Sequence, residues 1–97
     1  MLEFNIQPQA GGWFTFPENV GYERYQPLDY PSKIIEGRDV CYIEVCGCEI
    51  SFSYEMHGIH VVFESGIITE EKAFAIVTSI SHRLANITGQ PTVVYES

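Results

Sequence analysis

Between residues 40 and 64 apolar and polar side chains alternate one by one, and beyond Gly66 the apolar positions recur instead at spacings of three and four. The first pattern belongs to strands with one buried face and the second to an amphipathic helix. The strand region predicts a meander over 40–45, 48–56 and 59–64, with turns at Cys46-Gly47 and His57-Gly58. Glycine in the second turn position supplies the positive φ of a type I′ hairpin.

These turns set a register. Val45 is expected opposite Cys48, Ile43 opposite Ile50 and Cys41 opposite Phe52. Across the second turn, Met56 is expected opposite Ile59, Tyr54 opposite Val61 and Phe52 opposite Phe63. One face of the meander is then almost wholly apolar. The other carries Tyr42, Glu44, Glu49, Ser51, Ser53, Glu55, His60, Val62 and Glu64, a wet face of the kind antiparallel sheets tolerate.

The later period predicts a helix over about 70–87. Thr69 is a good N-cap, Glu70 and Glu71 suit the positive end of the helix dipole, and Gly89 marks the stop. Ala73, Ile76, Val77, Ile80, Leu84 and Ile87 form one stripe that can cover the apolar face of the sheet. At the N-terminus Leu2, Phe4 and Ile6 alternate with polar residues, and after QPQAGG a second aromatic run, WFTF, suggests an N-terminal hairpin. TVVY, after Pro91, suggests a short C-terminal strand. The expected fold is α+β: a mainly antiparallel sheet with one long helix on one face.

Residues 17–33 form a loop with three prolines and three tyrosines, Tyr22, Tyr25 and Tyr30. Together with Trp13, Phe14 and Phe16 they concentrate nearly half of the aromatic residues in eighteen positions. Such side chains either cap an open sheet or serve as interface anchors.

The chain has 97 residues, 45% hydrophobic and 19% charged, which fits one folded domain over 1–97 and excludes a disordered chain. There is no apolar run of membrane-spanning length and no signal-peptide pattern in MLEFNIQPQA, so a cytoplasmic location is expected. The sequon Asn86-Ile87-Thr88 closes the expected helix and is read as chance. Thirteen acidic and five basic residues give a net charge of -8 without any basic cluster. Nucleic acid and anionic membrane surfaces are therefore poor partners, whereas a basic protein would be attracted.

Candidate chemistry concentrates in CYIEVCGCEISFSYEMHGIH. Cysteines 41, 46 and 48 and histidines 57 and 60 look like metal ligands in one dimension. A nine-residue extended strand separates Cys48 from His57 by about 30 Å, far beyond the reach of a shared Zn²⁺ ion. Cys41 and Cys48 read as buried reduced thiols and Cys46 as an exposed turn residue. No metal or other cofactor is expected.

His60 faces Glu55 in the expected register, which makes a small enzyme using that pair conceivable. No nucleophile elbow accompanies it. Glu44 and Glu49 face one another beside the first turn, an unfavourable pairing that calls for a bulge at Gly47, solvation or a basic partner.

The reading that fits best is a small acidic binding protein recognising another macromolecule, such as an inhibitor or immunity-type protein for a basic enzyme. Its binding residues would be Tyr22, Tyr25, Tyr30, Glu44, Glu49, Glu55, His60 and Glu64. A ligand- or metal-binding domain using Cys and His residues is the alternative. Tyr42 and Val62, or an uncovered TVVY edge, offer a route to a homodimer.

Overall fold

The computed structural model describes residues 1–55 and 58–97. Along the chain come β1 (Glu3–Pro8), β2 (Ser32–Ile35), β3 (Cys41–Val45), β4 (Cys48–Glu55), β5 (Gly58–Ser65), α1 (Glu70–Thr88) and β6 (Thr92–Glu96). The strands form one antiparallel sheet in the order β2-β3-β4-β5-β1-β6. The expected α+β architecture is present.

The first hairpin has the register that its turn dictates, with Val45 opposite Cys48, Ile43 opposite Ile50 and Cys41 opposite Phe52. Cys46 at φ 51° and Gly47 at φ 78° both take the left-handed conformation that a type I′ turn requires. Cysteine pays a steric penalty there that asparagine largely avoids. Cys46→Asn should therefore stabilise the fold by about 0.5–1 kcal/mol, read as a higher urea midpoint; an unchanged or lowered midpoint would show that the turn carries no such strain.

The second hairpin is shifted by two residues. Glu55 pairs with Gly58 and Tyr54 with Ile59, where the turn at His57-Gly58 had placed Met56 opposite Ile59. A shift of two leaves each side chain on its expected face. Gly58 belongs to β5 and has no positive φ, so its place in a turn is corrected, while Met56 and His57 lie outside the described residues. A Cβ on Gly58 would lie 2.5 Å from Asn5 Oδ1 and 2.8 Å from the Ile6 carbonyl oxygen. Close approach by β1, rather than turn geometry, demands glycine here.

The N-terminal hairpin is also corrected. β1 forms, but it pairs with β5 on one side and β6 on the other, and residues 13–16 form no strand. Gly11 and Gly12, at φ 84° and 78°, turn the chain away after β1. Pairing with β5 and β6 satisfies both edges of β1, which a hairpin with WFTF would not. β2 adds an edge strand outside the three-stranded meander.

Helix α1 begins and ends as its signals indicate. Thr69 Oγ1 accepts the Lys72 N–H at 3.1 Å, and Gly89, at φ 73°, donates its N–H to the Ala85 carbonyl. Ala73, Ile76, Val77, Ile80 and Leu84 are fully buried against the sheet's apolar face, while Ile87 is half-buried. The long loop covers the rest of that face. Phe14 and Tyr25 join the core, and the Tyr25 ring stacks on Phe52 at 4.5 Å and 9°.

Hydrogen bonds hold the loop to the helical end of the molecule. The Ser79 hydroxyl accepts the Asp29 N–H at 2.9 Å and donates to its carboxylate at 3.1 Å, and Arg83 donates to the Gln26 carbonyl at 2.7 Å. Gln90 accepts from the Thr15 N–H and donates to the Trp13 carbonyl. Nothing in the alternation of the sequence marks these ties, because each joins residues far apart in the chain.

Candidate functional site

The side of the sheet opposite α1 carries the four acidic residues of the expected binding set, Glu44, Glu49, Glu55 and Glu64. Glu44 and Glu49 face each other across β3 and β4, as the first hairpin requires. Their repulsion is met by basic groups of the same chain. Arg38 donates to Glu49 at 3.1 Å and lies 4.4 Å from the centre of the Tyr42 ring, and Lys33 on β2 stands opposite Glu44. The register irregularity lies between β4 and β5 at Glu49 and Ile50, rather than at Gly47.

His60 occupies the middle of this face. Its Nδ1 is 3.0 Å from Glu55 Oε2 and its Nε2 is 2.7 Å from Glu3 Oε1. The expected Glu55 contact is made, diagonally, since Ser53 is the residue directly opposite. Glu3 is the partner that sequence reading misses. Alternation in LEFNI puts it on a strand, but only the insertion of β1 beside β5 brings it to His60. A neutral imidazole donates to one of these carboxylates and an imidazolium to both.

Through His60 this arrangement joins three strands, β1, β4 and β5. Both ring nitrogens of His60 are engaged by carboxylates, Ser53 donates to Glu55 at 3.3 Å, and Ser51 donates to Glu64 at 2.6 Å. Cys41 and Cys48 are buried on the other face. Among the described residues no group of three His, Cys, Asp or Glu side chains is placed to hold a metal ion. His57, one of the residues considered for that role, lies outside them.

The tyrosines belong to the opposite layer. Tyr25 is a core residue stacked on Phe52, and Tyr30 is half-buried with the Lys72 ammonium 5.0 Å from its ring centre. Tyr22 alone of the three is exposed. The sheet thus separates the acidic and aromatic halves of the expected binding set, because Phe52 and Glu49 or Ser53 alternate across β4.

A cleft of about 370 Å³ opens where these two layers meet at the end of β4. Tyr22, Val40 and Tyr54 line it, with Tyr25, Cys41 and Phe52 behind them and Asp39 and Ser53 contributing polar atoms. Trp13 packs beside Tyr54 at 5.3 Å between ring centres. A second, shallower opening of about 260 Å³ lies between Lys33, Glu44 and Cys46.

Burial controls the thiols. It pushes Cys41 up to about 11, against the opposing pull of the Arg24 guanidinium, and raises Cys48 as well, with Cys46 adding to the effect. Cys46 is exposed. In native protein at pH 8, iodoacetamide should modify Cys46 alone, with Cys41 and Cys48 reacting only after unfolding. Rapid native labelling of Cys41, read by peptide mass, would contradict this.

Among the described residues, no helix is long and apolar enough to cross a membrane. No protein-family model, curated protein or solved structure matches the chain.

Proposed function

We propose that this chain is a small acidic binding protein that recognises a basic protein through the sheet face left uncovered by α1. The observation that carries this reading is the gathering of Glu3, Glu44, Glu49, Glu55 and Glu64 on one face around Tyr42 and Val62. Carboxylates around an apolar centre match a basic surface with an apolar anchor, and the net charge of -8 favours the encounter. An inhibitor of a basic enzyme, of the immunity type, is a role consistent with this size and charge.

Arg38 and His60 hold three of these carboxylates, whereas Glu44 and Glu64 make no salt bridge among the described residues. Those two are the groups for a partner's cations. The test is capture from the native host at low ionic strength, followed by elution with salt. Glu44→Lys with Glu64→Lys should abolish capture of a basic protein, while Glu71→Lys on the helix should leave it intact. Failure to retain a basic partner at low salt, or retention by the double variant, would remove the proposal.

A further inference from the structure

We propose that the cleft beside Tyr54 docks an extended basic segment of a protein partner, with a lysine or arginine side chain held between Tyr22, Tyr54 and Asp39. This rests on the basic-partner reading above and names where one cationic anchor inserts. The β3–β4 ladder ends at Cys41 and Phe52, but β4 continues through Ser53, Tyr54 and Glu55.

Antiparallel pairing alternates the direction of the main-chain groups. The two-residue turn at Cys46-Gly47 makes Val45–Cys48, Ile43–Ile50 and Cys41–Phe52 the hydrogen-bonded pairs, so even-numbered residues of β4 bond toward β3 and the N–H and C=O of Tyr54 face the lane that β3 has vacated. Residues 39 and 40 bend away there instead of continuing the strand, and no main-chain hydrogen bond from the 36–40 loop reaches Tyr54 among the described residues. A short extended peptide can enter that lane by strand addition, taking its affinity from the main chain and its specificity from the adjoining pocket.

The pocket's chemistry selects the side chain. Tyr22, Tyr54 and Val40 are 46%, 38% and 39% exposed, so apolar surface is available beside the free backbone. Asp39 is exposed and makes no salt bridge among the described residues. Aromatic rings beside a carboxylate suit the apolar stem and charged head of lysine or arginine. The nearby Arg24 does not fill this role from within. Its guanidinium sits 4.4 Å from the Phe16 ring centre and donates to the carbonyls of Val20 and Gly21.

The test is an NMR titration of the ¹⁵N-labelled full chain with a blocked hexapeptide of alternating lysine and valine. Saturable amide shifts are expected at Val40, Ser53 and Tyr54. Tyr22→Ala and Asp39→Asn should each weaken binding about fivefold, while Glu71→Gln on the helix should leave it within about twofold. Both altered side chains are exposed, and the dispersion of each spectrum checks folding independently of binding.

Replacing lysine by glutamate in the peptide should abolish the shifts; equal binding of the acidic peptide would overturn the proposal. Shifts confined to Tyr42, Glu44 and Val62 would also overturn it, while leaving the sheet-face reading intact. No shift at millimolar peptide would overturn the cleft proposal, and the capture experiment would still decide the sheet-face reading separately.

Discussion

Gly58→Ala should cost about 2–3 kcal/mol of folding stability, although the substitution adds a single methyl group. That methyl would sit 2.5 Å from Asn5 Oδ1, 2.8 Å from Gln7 Cγ and 2.8 Å from the Ile6 carbonyl oxygen. The Asn5 and Gln7 side chains can move, but the Ile6 carbonyl belongs to β1 and can yield only if the β1–β5 pairing shifts. Gly37→Ala provides the comparison. At φ 81° it is strained, yet nothing lies within 4 Å of its added Cβ, so only the backbone penalty of about 1 kcal/mol applies.

Urea denaturation of the two variants separates the causes. The Gly58 variant should have the lower midpoint, and Asn5→Ala in the same chain should restore only part of the loss. A Gly58→Ala midpoint equal to that of the parent would mean that β1 does not constrain this position. The same result would undermine the structural explanation for a glycine in a strand with no positive φ.

Gly58 also marks the limit of what local sequence reveals. A glycine after histidine resembles the end of a type I′ turn, and Gly47 after Cys46 does occupy one. The two glycines have different causes, since the contact at Gly58 comes from a strand more than fifty residues earlier in the chain. The two-residue error in register nevertheless left the acidic face correctly assembled. Face membership depends on the parity of a residue's position, whereas the residue opposite it depends on the actual turn.

The same distinction explains the candidate site. Glu44, Glu49, Glu55, His60 and Glu64 could be grouped from alternation, but Glu3 could not, because its neighbourhood depends on where β1 enters the sheet. Similarly, Tyr22, Tyr25 and Tyr30 are equivalent in a linear loop. The stack on Phe52 makes Tyr25 part of the core and leaves Tyr22 exposed at the cleft. Helix α1 was legible almost to the residue because its period, cap and stop are all local signals.

The burial that unites these elements also predicts a loss of stability in alkali. Cys41 is 3% exposed and its thiol is raised from 9.0 to about 11 by burial; Tyr25 is 5% exposed and its phenol is raised from 10.0 to about 12, again by burial. In both groups the protonated form is neutral and the folded chain holds that proton more tightly than the unfolded chain. Their contribution to stability is complete below pH 9, and it falls as the unfolded chain ionises, Cys41's being exhausted as the pH passes about 11 and Tyr25's near 12. By pH 11 the linked loss should be about 2 kcal/mol from Cys41 and about 1 kcal/mol from Tyr25. Urea unfolding at pH 8 and pH 11 measures the sum. Cys41→Ala should remove the larger part of that fall and Tyr25→Phe the smaller, even if either substitution lowers stability at pH 8. If Cys41→Ala loses as much stability over this interval as the parent, the buried thiol is not its source.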